Sequence, residues 1–149
     1  MTEKLITMAL HLTFRFLMPV HVWVLRISRG RIGNQVVGGL PVLLLTTRGR
    51  RSGKVHTAPL GFVADGGELI VLGSAGGYPR HPDWAVNLRA DPSVWIEIDG
   101  RKTAAHATWL EGPERERLWT KIVARYPFYG DYARRAGRPI PVVRLRPSG

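Results

Sequence analysis

The stretch "PVLLLTTRGRRSGKVHTAPLGFVADGGELIVLGS", residues 41–74, decides the fold. An apolar run, Val42 to Leu45, leads into a turn crowded with Arg48, Arg50, Arg51 and Lys54. A second apolar stretch follows, then "DGG" at 65–67, then a third. Short apolar runs bounded by glycine-rich turns read as strands, and Asp-Gly-Gly is a hairpin signal. The expected strands are 41–47, 55–64 and 68–74.

Working outward, "VWIEID" at 94–99 alternates, with Val94, Ile96 and Ile98 on one face and Glu97 and Asp99 on the other. Gly100 turns into a strand at about 102–110, and "IPVVRLRP" at 140–147 gives the last. Asp83 to Arg89 reads as a short helix with Trp84 and Leu88 at i, i+4. Pro113 starts another, striped by Leu118, Trp119, Ile122 and Val123, with Glu114 and Glu116 near its N-terminus. Six or so strands joined by hairpins, with flanking helices, predict an α+β fold built on a small antiparallel barrel. No internal repeat or long linker appears, so residues 1–149 read as one domain.

Residues 5–25, "LITMALHLTFRFLMPVHVWVL", are nearly all apolar. Their length would allow a membrane span. Arg15 opposes it at roughly 2.5–3.5 kcal/mol on insertion scales, and Pro19 would interrupt the helix. The reading preferred is an apolar and basic helical segment over 1–32, lying on the protein or on a membrane surface. No small-residue cleavage site argues for a signal peptide.

The charge balance is lopsided: 22 Lys and Arg against 11 acidic residues, a net charge of +11. That points to an anionic partner, whether a phosphorylated ligand, nucleic acid or a membrane surface. Hydrophobic residues at 44% are those of a globular chain, and the absence of cysteine excludes thiol nucleophiles and disulfides. The five histidines lack ligand-like spacing, so no metal site is expected. No nucleic-acid recognition motif is visible.

Three stretches carry chemistry. In the basic turn, Gly49 and Gly53 permit tight geometry, and Arg50, Arg51 and Ser52 could cradle a phosphate. A solvated basic hairpin explains the same residues equally well. In "GSAGGYPRHPDWAVNL", 73–88, Gly73, Gly76 and Gly77 would let backbone approach a ligand, and Arg80 and His81 add donors. Trp84 reads as a core anchor in either case, and Asn87 is a polar amide that needs a specific partner. In "RYPFYGDYARRAGRP", 125–139, Tyr126, Tyr129 and Tyr132 would share a face on a helical turn. They could wall a pocket for a flat ligand or close the barrel mouth as an aromatic patch.

Taken together, TT-x-GRRSG-x-x-x-x-x-PL at 46–60, GS-x-GG-x-x-x-HP-x-W-x-x-NL at 73–88 and the tyrosine-rich stretch ending in IPVV resemble the deazaflavin (F420)-dependent nitroreductase and quinone reductase family of actinobacteria. The resemblance covers about residues 38–147. It implies a split β-barrel of the flavin-reductase type. By it, Arg50, Arg51 and Ser52 match positions that bind the cofactor's phosphate and acidic tail. Thr47, Pro59, Gly73, Ser74, Gly77, Trp84 and Asn87 match residues lining the deazaflavin and its linker. Tyr126, Tyr129 and Tyr132 match aromatic positions around the substrate, with Tyr129 the proposed proton donor and Tyr126, Tyr132 and Ser74 the alternatives. Two positions depart: His56 stands where arginine is common and Ala75 where lysine is common, which would either weaken tail binding or share it with Arg48, Lys54 and Arg80.

The implied activity is hydride transfer from reduced F420 to a quinone, an activated alkene or a nitroaromatic. The apolar N-terminal segment suits a lipophilic acceptor such as menaquinone, and a cytoplasmic enzyme in peripheral contact with the inner face of the cell membrane. A monomer and a homodimer both remain open. The alternatives are an FMN-dependent reductase on the same fold, and a non-enzymatic basic module that binds membrane or nucleic acid.

Overall fold

The computed structural model describes residues 39–148 together with Met8, Leu17, Val20 and Val22. The expected N-terminal helical segment otherwise lies outside the described residues. The first strand, β1 (Val42–Arg48), explains its own composition. Leu43 and Leu45 point into one core, while Val42 and Leu44 point the other way, against Val22. A strand buried on both faces reads as an unbroken apolar run.

The remaining elements are β2 (Val55–Gly61), β3 (Val63–Asp65), β4 (Glu68–Leu72), α1 (Asp83–Ala90), β5 (Ser93–Ile98), β6 (Arg101–Trp109), α2 (Gly112–Arg125), α3 (Phe128–Ala136) and β7 (Val142–Pro147). They form one seven-stranded sheet in the order β2-β1-β5-β6-β7-β4-β3, antiparallel throughout. Two-residue turns close two hairpins. Gly66 and Gly67 join β3 to β4, and Asp99 and Gly100 join β5 to β6, all four with positive φ as a type I′ turn requires.

One strand expectation is corrected. The run 55–64 is two strands, not one, which raises the count from six to seven. β2 pairs with β1, whereas β3 pairs with β4 at the opposite edge. Phe62 is the joint, and its N–H donates to Pro41 O at 3.0 Å instead of to a ladder partner. Because consecutive strands occupy opposite edges, the sheet has to curl until those edges adjoin. This is the split barrel.

The concave face holds Leu43, Leu45, Val71, Val94, Ile96, Val143 and Leu145. Helix α1 stops that face with Trp84, Ala85 and Leu88. Pro82 precedes α1 in an extended conformation and Asp83 occupies its first turn, where a carboxylate favours the helix dipole. On the convex face at the β4–β7 end, Ile70, Leu72 and Val142 meet α2 and α3 through Leu118, Ile122, Tyr129 and Ala136. Leu118 and Ile122 are almost fully buried; each burial stabilises by roughly 1.5–3 kcal/mol. At the β1 end the same convex face is met by Val22, which is buried, while Met8, Leu17 and Val20 are exposed. Among the described residues no helix is long and apolar enough to cross a membrane.

Candidate functional site

The basic turn is a closed loop. Gly49 N donates to Lys54 O at 2.7 Å and Gly53 N to Gly49 O at 2.9 Å. The Ser52 hydroxyl accepts from Lys54 N at 3.2 Å. A Cβ on Gly49 would stand 2.8 Å from Ser52 Oγ and 3.1 Å from Lys54 O, so a side chain there would spread the turn. Arg48 turns back on the loop, donating to Gly53 O at 3.0 Å, with Asp91 at 3.9 Å.

The two adjacent arginines have different surroundings. Arg50 is anchored: its backbone N and its Nη1 both donate to Asn87 Oδ1, at 3.2 and 2.8 Å, and its guanidinium lies 3.4 Å from Asp83. Arg51, Ser52 and Lys54 are exposed. Asn87 is 3% exposed, and its Nδ2 reaches toward Thr47 Oγ1 at 3.5 Å. The partner the sequence demanded for this amide is therefore Arg50 of the turn, with Thr47 of β1 behind it.

Between the turn and α1 lies a cleft of about 420 Å³. One wall is Gly49, Arg50, Arg51, Ser52, His56, Thr57 and Ala58; the other is Asp83, Trp84 and Asn87. His56 faces the cleft because it pairs with Thr47 across the ladder and shares its side of the sheet. Pro59 pairs with Leu44 three residues further along β2, outside the lining. Trp84 serves both the core and the cleft wall. Its side chain packs into the barrel interior and the residue is 9% exposed.

The segment 73–82 uses its glycines for packing within the chain. A Cβ on Gly73 would come within 3.0 Å of Pro141 Cγ. Gly77, at φ +89°, lies against Arg135 and the carbonyl of Tyr132. Ala75 and Gly76 form a short turn whose Gly76 O accepts from Arg135 at 3.4 Å. Ser74 is buried, and Arg80 is exposed. Sequence reasoning missed the residue that organises this segment, Arg138. Its only signal was a lone arginine between Gly137 and Pro139.

The tyrosines sit elsewhere. Tyr126 caps the C-terminus of α2, while Tyr129 and Tyr132 lie on α3. Phe128 links them, its ring 4.6 Å from Tyr129, 5.7 Å from Tyr132 and 6.0 Å from Tyr126. Tyr129 is 7% exposed, and burial, with the two neighbouring phenols, pushes its hydroxyl pKa up to about 12. Neither the tyrosines nor Ser74 belong to the cleft lining. The Ala75–Gly77 turn packs on α3 and is not part of the cleft lining either. Among the described residues no group of His, Asp and Glu could hold a metal ion.

The profile of the F420H(2)-dependent quinone reductase family matches residues 17–147, reaching further toward the N-terminus than the three motifs. An F420H(2)-dependent quinone reductase of Mycobacterium tuberculosis is 35% identical over 132 residues, covering 87% of this chain and 89% of its own. A solved F420-H2 dependent reductase, FDR-A, is 37% identical and superposes with a TM-score of 0.63 over 71% of this chain and 94% of that one. A second solved structure, described as a domain-swapped dimer, is 33% identical at a TM-score of 0.64, over 83% and 97%.

Proposed function

The chain belongs to the F420H(2)-dependent quinone reductase family, and on that footing we propose how its residues hold the cofactor and receive the acceptor. The enzyme is an F420-dependent oxidoreductase, so F420 takes the place over FMN. When bound, reduced F420 supplies a hydride to an electron-poor, quinone-type acceptor.

The residues present fit such a ligand. F420 is a flat ring system with an anionic phosphate and acidic tail. The cleft offers a flat indole wall at Trp84 and an exposed cationic donor at Arg51, and the same turn carries the exposed Lys54. The cleft's volume of about 420 Å³ would admit a flat ring, and Arg51 and Ser52 of the turn would hold the anionic end.

The roles we assign differ for the two arginines. Arg51, Ser52 and Lys54 grip the anion with charge-assisted bonds. Arg50 in addition holds the turn against α1, since its Nη1 donates to Asn87 and lies beside Asp83, while the residue also lines the cleft. His56 and Asn87 would border the ring, with Thr47 supporting Asn87 from behind, and the core behind Trp84 would keep water from one side of it. Tyr129, with a hydroxyl pKa near 12, stays protonated at every working pH and acts by orienting the acceptor through a hydrogen bond. A general acid works best with a pKa near the working pH, so Tyr129 is a poor proton donor and solvent supplies the proton. We assign menaquinone as the physiological acceptor because the N-terminal stretch is apolar and basic, a composition that favours contact with anionic membrane lipid.

The observation that carries this reading is the anchoring of Arg50 by Asn87, while Arg51 stands exposed in the cleft lining. Titrating F420 into wild type, Arg50→Ala and Arg51→Ala tests it. Arg51→Ala should lose affinity with its fold intact, and equal affinity in Arg51→Ala and wild type would refute the assignment.

A further inference from the structure

Arg138 stands between α3 and β7, one residue past the Gly137 cap, and every donor it has goes to one segment. Nε donates to Tyr78 O at 3.1 Å. Nη1 donates to Gly73 O at 3.1 Å and meets His81 Nδ1 at 3.0 Å. Nη2 donates to Arg80 O at 2.9 Å, Tyr78 O at 3.0 Å and Ser74 O at 3.3 Å. A guanidinium has five N–H groups, and six contacts use all of them. None is left for an anionic ligand.

The same two stretches are fastened at neighbouring points. Gly73 N donates to Pro141 O at 2.9 Å, and Arg135 Nη1 reaches Gly76 O. Apart from the Ala75–Gly77 turn, the segment between β4 and α1 has no regular structure of its own. Four of its carbonyls, those of Gly73, Ser74, Tyr78 and Arg80, converge on one side chain.

We propose that Arg138 is a positioning residue that locks Gly73–His81 in one conformation, so that Trp84 and Asn87 stand correctly in the cleft wall and α3 is coupled to it. The clause about the wall rests on reading the cleft as the F420 site. Lysine cannot replace Arg138, because three donors on one nitrogen cannot span acceptors that a planar fork reaches.

His81 makes the lock sensitive to pH. Its Nδ1 has to accept from Arg138, which places the ring proton on Nε2. The charged groups facing it are Arg138 and, from α1, Arg89, both positive. From β6 the Trp109 ring meets it edge-on at 5.3 Å, and Arg89 lies over that ring, with Glu111 at 3.7 Å. Burial and the two arginines hold the imidazole below its usual 6.5. The lock is therefore complete above pH about 6.5 and weakens as pH falls below it.

Hydrogen exchange on the full chain without cofactor tests this. The reporters are the amides of Gly77 and Tyr78, which donate to Ser74 O and Ala75 O inside the segment. In Arg138→Lys at pH 7 they should exchange at least ~10-fold faster, about 1.4 kcal/mol of lost protection, while amides of β5 and β6 keep their wild-type rates. The KM for F420H2 should rise with them. Unchanged exchange at Gly77 and Tyr78, or an equal increase throughout the sheet, would overturn the proposal. Should Arg138→Lys not fold, His81→Asn decides, since its amide can still accept but does not titrate. After correction for intrinsic rates, Gly77 and Tyr78 should lose protection between pH 7 and 5 in wild type and keep it in His81→Asn. Identical pH profiles in the two proteins would overturn the proposal. A wild type that shows the exchange pattern but binds no F420 would overturn the cofactor reading, and with it only the clause about the cleft wall.

Discussion

Asn87 Oδ1 accepts both the backbone N–H and the Nη1 of Arg50, at 3.2 and 2.8 Å, across 37 residues of sequence. One amide on α1 thus fixes the start of the basic turn. A hydrogen bond to a charged group contributes about 1.5–3 kcal/mol, and its loss inside a buried environment leaves the partner unsatisfied. Asn87→Leu should lower the unfolding free energy by about 1–3 kcal/mol in denaturant titration and weaken F420 binding as the turn drifts. A variant as stable as wild type would mean that the turn holds its own shape.

Salt separates the neighbouring arginines. Arg51 is exposed, so the contact with an anion proposed for it would be screened. Arg51→Ala should therefore flatten the dependence of F420 affinity on ionic strength and leave the thermal midpoint close to wild type. Arg50→Ala should lower the midpoint as well as the affinity, because Arg50 also pairs with Asp83. Loss of thermal stability in Arg51→Ala alone would reverse the two roles.

Most of the sheet was legible in the sequence. Apolar runs between Gly- and Asp-rich turns announce β1, β4, β5 and β6, and Pro82 and Pro113 announce α1 and α2. The break at Phe62 was not legible, because residues 59–64 stay apolar on both sides of it. What splits β2 from β3 is a change of partner, and partners are set by the closing of the barrel. The division between Arg50 and Arg51 was equally hidden. The two side chains are identical, and only the position of Asn87 on a distant helix tells them apart. The glycines of 73–77 were legible as important. Gly73 and Gly77 are also in close contact with Pro141 and Arg135, residues that no local pattern connects to them.

Gly73 should not tolerate a side chain. Its Cβ would approach three atoms of Pro141 at 3.0–3.2 Å, and the proline ring cannot swing away. Overpacking of this kind costs typically about 1–3 kcal/mol, so Gly73→Ala should lower the midpoint of denaturation accordingly. An unchanged midpoint would show that the two connections are loosely packed.

Tyr129 provides a pH signature. Burial raises its pKa to about 12 from 10.0, so the unfolded chain loses this proton first as pH rises. Its contribution to stability is therefore complete below pH 10 and is lost between 10 and about 12. Tyr129→Phe should remove that alkaline loss. In the proposed role, in which the phenol orients the acceptor and does not donate the proton, turnover with menadione should fall only several-fold, short of the roughly 10²–10⁴ of general acid catalysis. A fall of a thousandfold would make Tyr129 the proton donor after all.

Val22 ties the N-terminal segment to the barrel. It is 8% exposed against Val42 and Leu44. Val22→Ala should cost roughly 1.5 kcal/mol, at about 0.8 kcal/mol for each buried carbon removed. A chain starting at Gly33 should be less stable for the same reason and should lose association with anionic liposomes. Full liposome binding by the shortened chain would locate the membrane contact on the barrel.

The central claim is that the basic turn, through Arg51, holds the anionic end of F420. Fluorescence titration of F420 into wild type and Arg51→Ala, at low and moderate salt, tests it most directly. The wild-type dissociation constant should rise with salt. At low salt the variant should bind about tenfold to over a hundredfold more weakly, the range for one charge-assisted bond. Equal affinities in the two proteins at both salt concentrations would contradict the claim and move the anion site away from the turn.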